Sequence, residues 1–105
     1  MTTTDVRIAL ADDQAIVRAG LRALLERHGV AVALEAEDGN ALLDGLAATP
    51  VDVVLSDVRM PGIDGIEALR RLRARGDATP VVLLSAFDGA ELLLQATPAA
   101  AQGVL

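Results

Sequence analysis

The stretch VDVVLSDVRMPGIDGIEALRRLR, residues 51–73, decides the fold. Its first six residues are almost continuously apolar and rich in β-branched side chains, which predicts a strand inside a parallel sheet. Turn-forming residues follow this strand, namely Pro61, Gly62 and Gly65. A loop is therefore predicted over residues 57–65. Apolar residues then recur at helical spacing, so a helix is predicted over residues 66–75.

The same alternation of short β-branched runs and longer helical patterns continues on both sides of this stretch. Further strands are predicted over residues 6–11, 30–36 and 80–85, and a last strand begins at residues 104–105. Further helices are predicted over residues 15–28, over a short segment that Asp38 or Asn40 can cap, and from residue 90 to residue 96. Strands alternating with helices predict an α/β fold, in which a doubly wound parallel sheet is covered by helices on both faces.

The first predicted helix has an amphipathic pattern. Its apolar residues at helical spacing are Val17, Leu21, Leu24 and Leu25. We expect this face to pack on the sheet. Charged side chains are expected on the opposite face, namely Arg18, Arg22 and Glu26.

Composition excludes several kinds of chemistry. The chain has 105 residues, a net charge of -6 and no cysteine, and its nine basic residues are all Arg. Cysteine-ligated zinc, thiolate nucleophiles and lysine Schiff bases are therefore excluded, and the single His28 rules out paired-histidine metal sites. An acidic domain is a poor candidate for binding nucleic acid by itself. No apolar run approaches the ~18 residues of a membrane span, and no secretory signal is visible, so we expect a cytoplasmic protein without membrane contact.

Acidic side chains follow two of the predicted strands. Asp12 and Asp13 come after the first strand, and Asp57 comes after the third. Ligands of open parallel sheets bind beyond the carboxyl ends of the strands. If the first and third strands are neighbours, these carboxylates share one crevice and raise each other's pKa. Oxygen-only ligands suit Mg²⁺, and an aspartate can accept a phosphoryl group. The alternative is that these acids only cap helices.

Three segments of the chain together resemble the receiver domain of two-component response regulators, most closely the subfamily with a LuxR-type helix-turn-helix output. They are ALADDQAIVRAGLRALLE at 9–26, VDVVLSDVRMPGIDGIEALRRLR at 51–73, and PVVLLSAFDGAELLLQA at 80–96. The specific features are the D-D pair, the D-x-R-M-P-G-x-D-G block and the S-A pair. The resemblance implies a flavodoxin-like fold with strand order 2-1-3-4-5.

The resemblance also implies a role for each site residue and Mg²⁺ as cofactor. Asp57 is the expected phosphoacceptor, Asp13 a direct Mg²⁺ ligand, and Asp12 its partner, often acting through water. The backbone carbonyl of Arg59 is the remaining protein ligand. Ser85 is the switch hydroxyl that bonds a phosphoryl oxygen, and Ala86 leaves the phosphate accessible.

The sequence departs from the family pattern near its C-terminus. The family's Lys at the end of strand five would fall two residues after Leu105, and Val104 stands at the aromatic switch position. Thr97-Pro98 interrupts the expected fourth helix. We therefore expect residues 1–105 to form one receiver domain, with the fifth strand and last helix truncated and the output domain absent.

These features predict a domain that accepts a phosphoryl group from a sensor histidine kinase and controls DNA binding only through a C-terminal output domain. No enzymatic turnover is expected beyond self-catalysed phosphoryl acceptance and slow autodephosphorylation. Self-association is expected because the apolar strand at 80–85 would be incompletely covered. The alternative is a degenerate receiver that acts as a phosphorylation-independent interaction module. An aspartyl phosphatase would need a D-x-D motif, whereas Asp12 and Asp13 are adjacent.

Overall fold

Strands and helices alternate in the computed structural model, which describes residues 6–84 and the strand residues 103–104. The strands are β1 Arg7–Ala11, β2 Ala31–Ala36, β3 Val53–Asp57, β4 Val81–Leu84 and β5 Gly103–Val104. The helices in this part of the chain are α1 Ala15–Arg27, α2 Gly39–Ala48 and α3 Gly65–Ala74. Every bound lies within about two residues of its predicted position, the usual uncertainty of helix and strand ends. The helix predicted over residues 90–96 and the Thr97-Pro98 pair lie outside the described residues.

The five strands form one sheet in the order β2-β1-β3-β4-β5, and every neighbouring pair is parallel. The predicted fold class and strand order are therefore confirmed. The register pairs Ala11 of β1 with Ser56 of β3, and Asp57 with Leu84 of β4. The carboxyl ends of β1, β3 and β4 consequently meet at one edge of the sheet.

The main core lies between the sheet and the helices α2 and α3. The sheet contributes alanine, valine and leucine side chains, all at most 3% exposed: Ala9, Ala11, Ala36, Val54, Val81 and Leu83. The two helices contribute larger ones: Leu42, Leu43, Leu46, Ile66, Leu69 and Leu72. Burying a Leu or Ile side chain contributes roughly 1.5–3 kcal/mol, so this layer anchors the two helices and the loops before them.

Helix α1 packs differently from its prediction. Val17 is 37% exposed and Leu24 is 50% exposed, and no residue of α1 is fully buried. The side that packs carries Leu21 and Leu25 together with Arg18, which was expected on the opposite face. The prediction is wrong for Arg18 because its long side chain reaches two polar partners, the Asp12 carbonyl oxygen after β1 and the Glu35 carboxylate on β2.

The sheet face opposite α2 and α3 is unevenly covered among the described residues. Ile8 and Leu10 of β1 are at most 5% exposed. The corresponding residues of the next two strands are only half-buried: Val53, Leu55, Val82 and Leu84. Among the described residues, helices therefore lie on both faces of the sheet at β1. No helix in this part of the chain is long and apolar enough to cross a membrane.

The start of α3 lies against the end of β3. The Asp64 carboxylate caps α3 by accepting a hydrogen bond from the Glu67 amide at 2.8 Å, and the Gly65 amide donates to the Val58 carbonyl at 2.7 Å. A Cβ atom at Gly65 would collide with the backbone oxygen of Asp57 and lie 3.1 Å from the Ser56 hydroxyl. Glycine is therefore required here by the close approach of two backbones.

We predict that Gly65→Ala lowers the free energy of unfolding by roughly 1–3 kcal/mol, because a backbone atom cannot move aside as a flexible side chain can. The matched control is Gly20→Ala in α1, where an added Cβ has no neighbour within 4 Å. That variant should be more stable by about 0.4–1 kcal/mol, since alanine restricts the unfolded chain. Urea unfolding measures both, and equal effects of the two substitutions would contradict the packing at Gly65.

Candidate functional site

Three carboxylates meet at the carboxyl edge of the sheet. Asp12 and Asp13 follow β1 directly, and Asp57 is the last residue of β3. Because β1 and β3 are parallel neighbours, Asp12 lies beside Asp57. One carboxylate oxygen from each of the three residues lies within 4.8 Å of the other two. The crevice that the strand ends predicted is therefore present.

The three acids do not serve as helix caps. Helix α1 has Gln14 as its N-cap residue, and α3 has Asp64. The Asp12 carboxylate instead accepts a hydrogen bond from the Gln14 amide at 2.8 Å, within the turn that precedes α1. Asp57 stands seven residues before Asp64, at the end of its strand. The alternative that these acids only cap helices does not fit this geometry.

The three acids differ in exposure. Asp12 is 5% exposed, Asp57 is half-buried and Asp13 is exposed. The Asp12 backbone is held on β2, because its amide donates to the Ala36 carbonyl at 3.0 Å. The cluster therefore has a fixed inner side at Asp12 and an open outer side at Asp13, where a ligand from solvent can enter.

The environment raises the pKa of Asp57 above its usual value. Burial of the carboxyl is the main cause, and the negative charge of Asp12 is the second. Hydrogen bonds from the backbone of Val58 and Arg59 oppose the rise, and the charge of Asp13 adds to it. The expected direction is confirmed for Asp57, although desolvation contributes more than the repulsion from which it was predicted.

The donor set suits a hard divalent cation. It consists of carboxylate oxygens only, which are the ligands that Mg²⁺ prefers, and it combines one buried group with one exposed group. Like charges held this close oppose one another unless a cation or protons offset them. The charges of Asp12 and Asp13 accordingly add to the effect of burial in raising the pKa of Asp57.

The other predicted site residues are placed only in part. Arg59 lies in the loop between β3 and α3, and its backbone contacts the Asp57 carboxylate. The role of its carbonyl as a metal ligand stays a prediction. Ser85 and Ala86 lie outside the described residues, directly after Leu84, whose register partner is Asp57.

Two residues that support the site were missed by the sequence reasoning. Ser56 is 1% exposed, and its hydroxyl donates to the Asp57 carbonyl at 2.8 Å. Arg18 donates from Nη1 to the Asp12 carbonyl at 2.6 Å. Ser56 could have been found from the sequence, because it is a polar residue in an otherwise mainly apolar strand. Arg18 gave no such signal, since an arginine on a helix usually faces solvent.

A family model described as "Response regulator receiver domain" matches residues 8–105. The chain belongs to this receiver-domain family. The similarity covers both the acidic cluster and the sheet that carries it. The resemblance first seen in the D-D pair and the D-x-R-M-P-G-x-D-G block is thereby confirmed.

Individual receivers agree with this assignment. The response regulator MprA of Mycolicibacterium vanbaalenii is 45% identical over 83 residues, which are 79% of this chain and 36% of that protein. The transcriptional regulatory protein YxjL of Bacillus subtilis is 37% identical over 106 residues, covering 100% of this chain and 49% of YxjL. The crystal structure of a LuxR-family response regulator from Aurantimonas sp. SI85-9A1 matches with a TM-score of 0.90 and 38% identity, over 98% of this chain and 73% of that one. The chain thus spans less than half the length of these two curated relatives.

We predict that Asp57→Asn stabilises the metal-free receiver at neutral pH. An acid whose folded-state pKa is raised loses stability as the pH rises from the unfolded-state pKa through the folded-state pKa, and the loss persists above both. Urea unfolding in the presence of a chelator should therefore show a gain at pH 7 that fades as the pH falls through the raised pKa of Asp57 and is absent below roughly 4.

The control for this prediction is Asp52→Asn, at the opposite end of the sheet. Its carboxylate accepts a hydrogen bond from the Arg7 amide at 2.8 Å and is remote from the cluster. This variant should gain no stability at pH 7. A less stable Asp57→Asn protein at pH 7 would show that the cluster is not under repulsion.

Proposed function

We propose that this receiver accepts a phosphoryl group on Asp57 from a sensor histidine kinase, with Mg²⁺ bound by the acidic cluster. The observation that carries the proposal is the approach of three carboxylates, from Asp12, Asp13 and Asp57, to within 4.8 Å of one another. Such a cluster is costly to the free protein, and a cation offsets that cost. Membership of the receiver family supports the same chemistry.

In the proposed reaction, a carboxylate oxygen of Asp57 attacks the phosphorus of a phosphohistidine. An oxygen–phosphorus bond forms, the phosphorus–nitrogen bond breaks, and the imidazole leaves with the electron pair of the broken bond. The hydrogen bond from Ser56 to the Asp57 carbonyl holds the strand end that carries the nucleophile. The half-buried position of Asp57 limits the approach to the open side of the crevice.

The residues proposed to hold Mg²⁺ are Asp13, Asp12 and Asp57, together with the Arg59 carbonyl. When bound, the cation would neutralise negative charge on the carboxylates and on the transferring phosphoryl group. The catalysis so provided is limited to self-catalysed phosphoryl acceptance and slow autodephosphorylation. Ser85 is proposed to donate a hydrogen bond to a phosphoryl oxygen. Ala86 is proposed to leave the phosphate accessible because its side chain is small.

The output belongs to the whole protein. MprA is named a response regulator and YxjL a transcriptional regulatory protein. We propose that phosphorylation shifts a conformational equilibrium of this receiver, and that a C-terminal output domain converts the shift into DNA binding in the cytoplasm. Self-association of the chain stays a prediction of the sequence.

We predict that incubation with Mg²⁺ and acetyl phosphate adds the mass of one phosphoryl group to the chain. Asp57→Asn should abolish this labelling because it removes the nucleophilic oxygen. Mass spectrometry of the intact protein at neutral pH measures the fraction labelled. Asp52→Asn keeps the cluster intact and should be labelled as fully as the unmodified chain.

The outcomes of the labelling experiment separate the two functions drawn from the sequence. Full labelling of Asp57→Asn would assign the phosphate to another residue. No labelling of the unmodified chain by acetyl phosphate or by a phosphorylated kinase would favour the phosphorylation-independent interaction module. That module is kept as the alternative because Val104 stands where the family pattern has an aromatic switch residue.

We further predict that Mg²⁺ stabilises the receiver by mass action. With a Kd of ~1 mM, a concentration of ~10 mM adds about 1.4 kcal/mol to the free energy of unfolding. Urea unfolding with MgCl₂, and with NaCl at matched ionic strength, measures the specific part of the effect. Asp13→Asn should lose most of it, since Asp13 is the exposed member of the cluster. Equal stabilisation by NaCl would contradict a metal site.

A further inference from the structure

Arg18 connects helix α1 to the acidic loop. Its Nη1 donates a hydrogen bond of 2.6 Å to the carbonyl oxygen of Asp12, and its Nε lies 3.4 Å from a carboxylate oxygen of Glu35 on β2. Its side chain is 18% exposed, although α1 lies on the surface. The guanidinium therefore joins a helix, a loop and a strand at one point.

The contacts around Asp12 restrain it on several sides. Its amide donates to the Ala36 carbonyl at 3.0 Å, and its carboxylate accepts from the Gln14 amide at 2.8 Å. The bond from Arg18 occupies its carbonyl oxygen. These bonds fix the peptide between Asp12 and Asp13, which sets the direction in which the Asp13 side chain leaves the loop.

Glu35 holds the Arg18 side chain in this position. One of its carboxylate oxygens faces Arg18, and the other accepts a hydrogen bond from Arg22, which also pairs with Glu26. Glu35 is the register partner of Leu10, two residues before Asp12. The acceptor and the anchor of Arg18 are thus both fixed by the pairing of β1 with β2.

Charge and position make opposite predictions for Arg18. As a charge, a guanidinium near three carboxylates repels a divalent cation, and its removal would tighten cation binding. As a restraint on the ligand loop, it keeps Asp12 and Asp13 oriented for coordination, and its removal would weaken binding. Partners that orient metal ligands typically change affinity by 10–100-fold when they are replaced.

We infer that Arg18 is a positioning residue for the cation site, acting through the Asp12 carbonyl and anchored by Glu35. The inference rests on the proposed function, because it concerns the affinity of the acidic cluster for Mg²⁺. Arg18 contributes no ligand atom to the cluster. It acts on the backbone that carries two of the three carboxylates.

The test compares two arginines that share Glu35. Arg18→Met removes the contact with Asp12, whereas Arg22→Met removes the same charge from the same helix and leaves that contact in place. Isothermal titration calorimetry with MgCl₂ at neutral pH gives the Kd of each folded variant. We expect Arg18→Met to bind roughly 10-fold more weakly than the unmodified chain. Arg22→Met should bind no more weakly than the unmodified chain.

A second variant and a second measurement separate positioning from folding. Arg18→Lys keeps the charge but lacks the planar fork, so its Mg²⁺ affinity should fall between those of the unmodified chain and Arg18→Met. If Arg18→Met does not fold, the test is whether Arg18→Lys binds Mg²⁺ more weakly than the unmodified chain. Circular dichroism melts without Mg²⁺ report stability separately. A purely structural role would lower Tm and leave the Kd of the folded protein unchanged.

The remaining outcomes are distinct. Equal or tighter Mg²⁺ binding by both Arg18 variants would overturn the inference and leave the proposed function standing. Equal weakening by Arg18→Met and Arg22→Met would overturn it as well, since the Asp12 contact would then not matter. Absence of saturable Mg²⁺ binding by the unmodified chain would overturn both the inference and the proposed metal site.

Discussion

Mutual repulsion among Asp12, Asp13 and Asp57 is the constraint around which the carboxyl edge of this receiver is built. Their carboxylate oxygens approach within 4.8 Å, and the pKa of Asp57 is raised by burial and by the charge of Asp12. Such an arrangement persists only when the surrounding backbone leaves the acids no freedom to separate. The parallel pairing of β1 with β3 provides the first part of that restraint.

Short local contacts provide the rest. On the β3 side, Gly65 lets the start of α3 approach the Asp57 carbonyl, and the buried Ser56 hydroxyl bonds the same oxygen. On the β1 side, the Asp12 backbone is held by Ala36 and Arg18. Both ends of the cluster are therefore fixed through carbonyl and amide groups. Backbone groups therefore bear much of the restraint, and the exposed Asp13 carboxylate stays open to a ligand.

The fold was predictable from the sequence because strands and helices leave different hydrophobic periods. The apolar run at 51–56 and the turn residues after it placed β3 and α3 within about two residues. The orientation of α1 was not predictable in the same way. Its apolar residues spread around the helix, and Arg18 lies on the packed side because a backbone carbonyl and Glu35 are there to receive it. Hydrophobic periodicity predicts which apolar side chains pack together, but it does not predict which side chains bond to a backbone carbonyl.

The acidic cluster was predictable for a related reason. Parallel strands end at one edge, and the strand order implied by the family resemblance makes β1 and β3 neighbours, which places Asp12 beside Asp57 without any knowledge of side-chain packing. The positions of Arg18 and Ser56 depend on bonds to the carbonyls of Asp12 and Asp57, which exist only after the strands pair. These bonds hold the strand ends in place against the mutual repulsion of the three carboxylates. A ligand that neutralises the acids removes that repulsion. Binding of such a ligand must therefore stabilise the folded receiver. The loops next to the strand ends are the segments whose conformation can respond to it.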